Sequence, residues 1–148
     1  MTLRGPSGED HAARRALVVL RVGVAALLFI HGAARAVTGG YVPFGEFLAA
    51  QGLPAGVVWA TGITAIELLG TPLLAAGRLV APLCLYFMLQ LGLGIAMVHL
   101  AEGWFVVGLG RNGVEYSVLL ILCLGCVGAT CPARHVAVGA CGWRGDSN

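Results

Sequence analysis

His31, Glu67, His99 and Glu115 are the residues whose types could do chemistry, because each sits in or beside a different one of four long apolar segments. Two imidazoles and two carboxylates can bind a zinc or iron ion, or hydrogen-bond the two ends of a quinone ring and exchange protons with it. Ionisable groups are costly inside a bilayer, so they turn toward a shared interior or a wet cavity. Arg35 lies one turn after His31, and its guanidinium can pair with either glutamate. The pocket candidates are therefore His31, Arg35, Glu67, His99 and Glu115. Thr64 and Thr71, at i−3 and i+4 from Glu67, give that segment a polar stripe predicted to face the interior.

Depth limits which of these residues meet. Counting inward from the segment ends, His31 lies ~9 Å deep and Glu67 ~15 Å, whereas His99 and Glu115 lie within ~2 Å of the surface. The expectation is an inner His31/Glu67 pair and an outer His99/Glu115 pair, with Arg35 able to join the two levels. This split, and the lack of a Glu-x-x-His spacing, assigns no metal site. A purely structural role for the same residues stays open: Glu67 paired with Arg35 or protonated, and the histidines hydrogen-bonded in the core or at the interface.

The segments that position these residues are 16–37, 57–76, 79–100 and 114–131. Each approaches the ~20 residues a helix needs to cross ~30 Å of hydrocarbon. Of the 148 residues, 58% are hydrophobic and 11% charged, and the mean hydropathy is +0.87, values outside the range of soluble domains. The expected fold is all-α: an integral membrane four-helix bundle. The tails would be 1–15, polar, and 134–148, with the transmembrane domain over 16–133. Gly39, Gly40, Gly77, Gly103 and Pro132 supply stop signals, and the short turn at Gly77-Arg78 makes the second and third segments antiparallel neighbours.

Between the first and second spans, residues 41–54 place Phe44, Phe47 and Leu48 on one helical face and end in Gly52 and Pro54, which predicts a short interfacial helix. The loop 102–113 carries Trp104 and Phe105, suited to the interfacial belt. All nine basic residues are arginines. Arg4, Arg14, Arg15, Arg78, Arg134 and Arg144 fall on one side, against Arg35 and Arg111 on the other, which puts both termini in the cytoplasm of a multi-pass cell-membrane protein. No basic patch suited to nucleic acid is present. A competing reading makes Arg14-Arg15 and 17–30 a signal peptide cleaved near Ala34-Arg35-Ala36, but Arg21 and the length of the apolar run favour a span.

Cys123-Leu-Gly-Cys126 has the spacing of a redox motif. In mid-helix that spacing strains a disulfide, and free cysteine serves as a small buried hydrophobe. Cys131, Cys141 and His135 show no zinc spacing. Gln90 and Met97 share a face of the third segment, where packing or helix-to-helix hydrogen bonding is expected.

In order along the chain stand His31-Gly32 with Arg35, then Gly52-Leu53-Pro54, then Glu67, Gly70, Leu73, Leu74, Gly77 and Arg78, then His99, then Gly113-Val114-Glu115-Tyr116. This ordered set resembles the DoxX family of small four-helix bacterial membrane proteins, over residues 17–133. The resemblance implies a cytoplasmic-membrane protein whose relatives associate with quinol oxidase or thiosulfate:quinone oxidoreductase complexes. It thus implies quinone as the candidate cofactor and other oxidoreductase subunits as partners, besides the lipid bilayer. A homo-oligomer is compatible with it, and no catalytic activity follows from it. The rival reading is a non-catalytic scaffold or assembly factor whose His/Glu/Arg network fixes helix register. A small-solute transporter is disfavoured by the lack of repeats and broken spans.

Overall fold

The computed structural model describes residues 8–108 and 111–130. Among these the regular elements are helices: α1 (Gly8–Val37), α2 (Tyr41–Ala50), α3 (Gly56–Ala75), α4 (Val80–Gly94) and α5 (Glu115–Ala129). α4 continues through a π-helical stretch, Ile95–His99, and a 3-10 turn, Leu100–Glu102. Three helices are long and apolar enough to cross a membrane: His11–Val37, Gly56–Ala75 and Val80–Glu102. α5 is apolar but has 15 residues, fewer than the ~20 a full crossing takes. The predicted segment ran to Cys131, which lies outside the described residues, as do Cys141 and His135.

The first helix begins earlier than expected. Residues 8–15, read as part of a polar tail, are helical and continuous with the span. The run Ala12-Ala13-Arg14-Arg15-Ala16-Leu17 consists of strong helix formers, and extending an existing helix costs far less than starting one.

α1 runs antiparallel along α3, α4 runs along α5, and contacts of α1 with α5 and of α3 with α4 close the bundle. The second and third spans are neighbours as expected, though each packs more extensively on another helix. At the α3–α4 turn, Gly77 takes φ +76°, Gly77 N–H donates to Leu74 C=O, and Arg78 N–H donates to Leu73 C=O. These two bonds make a Schellman cap, whose left-handed residue is glycine because a Cβ would strain it. The core joins Val24, Ala25 and Leu28 of α1, Leu74 of α3, Val80, Cys84 and Phe87 of α4, and Leu120, Leu124 and Val127 of α5. Large apolar side chains on the outside, such as Val19, Val58 and Leu69 at about 70% exposure, suit a hydrocarbon surround.

α2 ends on a second Schellman cap, with Gly52 N–H donating to Ala49 C=O and Leu53 N–H to Leu48 C=O. It docks on the start of α3 through two glycines: a Cβ on Gly45 would fall 2.4 Å from Val57 Cα, and one on Gly56 would fall 2.0 Å from Gly45 O. The docked face buries Leu48 and half-buries Phe44 and Phe47, the three residues the sequence placed together.

Candidate functional site

Glu67 has no exposed surface and sits where α1, α3 and α4 meet. Its level is set by α1, which comes so close that a Cβ on Gly32 would lie 2.7 Å from Glu67 Cβ. One turn further along α1, Arg35 Nη1 donates to Glu67 Oε2 at 3.0 Å and to Thr64 Oγ1 at 3.3 Å. From α4, Gln90 Nε2 donates to Glu67 Oε1. The Arg35 guanidinium also lies 4.7 Å from the centroid of the Phe44 ring, so α2 covers the cation with an aromatic face. Three helices thus converge on one carboxylate, and a fourth covers the cation that pairs with it.

The supporting hydroxyls come from the predicted polar stripe. Thr64 donates to Ala60 C=O at 2.8 Å and Thr71 donates to Glu67 C=O, so both hydroxyls are satisfied while facing inward. Thr64 is left free to accept from Arg35. A buried carboxylate needs a cation and further donors to offset desolvation, and Arg35 and Gln90 supply them. Two polar features remain unspent. Gln90 Oε1 is buried without a hydrogen-bond partner, and Arg35, with a side chain 13% exposed, spends only Nη1 on Glu67 and Thr64.

The expected inner pair does not form. His31 lies level with Glu67 but is exposed, because the face α1 presents to the bundle is Val24, Ala25, Leu28 and Gly32. One residue is a 100° step on a helix, so the glycine that permits close approach turns its neighbour away. Arg35, read as a bridge between two levels, pairs with Glu67.

The outer residues serve another purpose. His99 and Glu115 lie at the same end of the bundle, but each binds main chain rather than the other. His99 Nδ1–H donates to Asn112 C=O at 2.7 Å, and Glu115 Oε1 accepts from Val106 N–H at 2.9 Å. The loop between them is folded back on itself by three backbone bonds, from Gly113, Val114 and Glu115 N–H to Phe105, Gly103 and Trp104 C=O. These two residues fasten the loop between α4 and α5.

Gln90 performs the helix-to-helix bonding expected of it, and Phe44 is the member of the cluster that spacing did not indicate as a site residue. Cys84, Cys123 and Cys126 are free thiols, so the Cys-x-x-Cys pair is not bridged. Among the described residues no three His, Cys, Asp or Glu side chains gather as a metal site would require.

No family model, no curated protein and no solved structure matches this chain. Of the residues singled out in the sequence, Gly32 and Arg35 both meet Glu67, and Gly77 forms the α3–α4 turn.

Proposed function

We propose that this chain is a DoxX-like, four-span cell-membrane protein that serves as a quinone-interacting accessory subunit of a membrane oxidoreductase. In this reading α5 completes the fourth span, α2 lies at the outer interface, and both termini are cytoplasmic. Arg35 carries the reading: it is held rigidly by Glu67, Thr64 and Phe44 yet keeps N–H donors unspent at a partly exposed edge. Its charge is balanced by Glu67, so the site suits a neutral carbonyl acceptor such as a quinone ring better than an anion. Gln90 Oε1 is the matching acceptor for a hydroxyl on the reduced form. His99 and Glu115 shape the nearby loop and do not contact the ligand in this account.

The scaffold reading is favoured by one observation, that Glu67 is fully paired without any ligand. The two readings part on binding. Titration of purified protein with a water-soluble quinone analogue, followed by intrinsic fluorescence, is expected to saturate for the wild type and to fail for a folded Arg35→Lys variant. Absence of saturation in the wild type would favour the scaffold.

A further inference from the structure

Arg21 stands in the apolar half of α1 nearest the chain's start, and its Nε is buried without a hydrogen-bond partner. Arg21 lies one turn before Ala25, on the α1 face that packs into the core. Among the described residues, Glu46, Glu67, Glu102 and Glu115 lie away from this end of the bundle, and Glu9 and Asp10 stand twelve and eleven residues back along α1, about 18 and 16 Å. The buried Nε–H calls for an acceptor, and a half-buried cation in an apolar setting favours one that carries negative charge.

Two further observations identify the anion's source. First, Arg21 precedes Gly32 by eleven residues and Arg78 follows Glu67 by eleven, and Gly32 touches Glu67. The antiparallel α1–α3 pair therefore brings Arg21 and the exposed Arg78, just past the end of α3, to the same end of the bundle. Second, an apolar groove of about 240 Å³ begins one turn above Arg21, lined by Ala25, Ala26, Phe29 and Ile30 of α1 and Thr71 and Pro72 of α3. It is open on the outer surface of two helices long enough to span a membrane, so hydrocarbon faces it.

We infer that this end of the bundle binds an anionic phospholipid, its phosphate held by Arg21 and Arg78 and one acyl chain laid in the α1–α3 groove. A phosphate offers the acceptor oxygen that the unpartnered Arg21 Nε lacks. The small side chains Ala25 and Ala26 leave room for the chain. The site is independent of the Arg35–Glu67 cluster, which lies toward the opposite end.

The test is reconstitution of the full chain with equal phosphatidylglycerol and phosphatidylcholine, detergent extraction, and native mass spectrometry of the retained lipid. The wild type is expected to retain phosphatidylglycerol about tenfold over its share, the scale of one charged hydrogen bond. Arg21→Gln should bring the ratio to that supplied, Arg21→Lys should keep most of it, and Arg78→Gln should lower it in part. Ala26→Trp, which fills the groove, should reduce retention of both lipids. A wild type that holds the lipids in the supplied ratio, or an Arg21→Gln variant with undiminished preference, overturns the inference. If Arg21→Gln fails to fold, the wild-type ratio and the Ala26→Trp variant decide.

Discussion

Glu67 draws its whole stabilisation from other helices, taking a cation from α1 and an amide from α4. Removing one partner of such a buried pair leaves the other charge uncompensated, so Arg35→Ala and Glu67→Ala should each cost about 3–5 kcal/mol of stability. Thermal unfolding in detergent would measure this. His31→Ala, at an exposed position, should stay within about 0.5 kcal/mol of the wild type, and a loss comparable to that of Glu67→Ala would return His31 to the site. His99→Ala and Glu115→Ala should leave the bundle intact but raise amide hydrogen exchange across residues 103–108 and 111–114, because each removes one of the loop's fastenings. Unchanged exchange in both variants would contradict that role.

At the scale of elements, α1 and α3 can approach as they do only because residue 32 is glycine. Gly32→Leu should destabilise the fold by at least about 1–3 kcal/mol through overpacking against Glu67, whereas the same change at Gly23, which has open space around it, should be nearly neutral. Much of this level was legible in the sequence: apolar runs, glycine stops and the Gly77 turn predicted the helices closely, because bilayer-scale length and left-handed caps are local properties. The polar stripe of Thr64, Glu67 and Thr71 was legible for the same reason, being spaced along one helix face. Which residue of α1 meets Glu67 was not. His31 and Gly32 share a depth, and the choice between them depends on a packing distance between helices that no spacing within one helix encodes. The folded loop between α4 and α5 was likewise hidden, since its hydrogen bonds join residues up to 13 apart.

For the whole molecule, the proposed topology places the start of α1 and the α3–α4 turn on one side, and α2 and the outer loop on the other. Cysteine engineered at Glu46, which is exposed on α2, should react with an impermeant maleimide added to intact spheroplasts in a background lacking the native thiols, and one at Arg78 should not. The reverse pattern would invert the orientation. The central claim, that Arg35 and Glu67 form a ligand site and not only a structural link, is tested most directly by an apolar double replacement, Arg35→Met with Glu67→Leu. Exchanging both members of a buried ion pair for apolar groups can preserve stability. The account predicts a variant that melts within a few degrees of the wild type but no longer titrates with the quinone analogue. A folded double variant that still binds the analogue would contradict it.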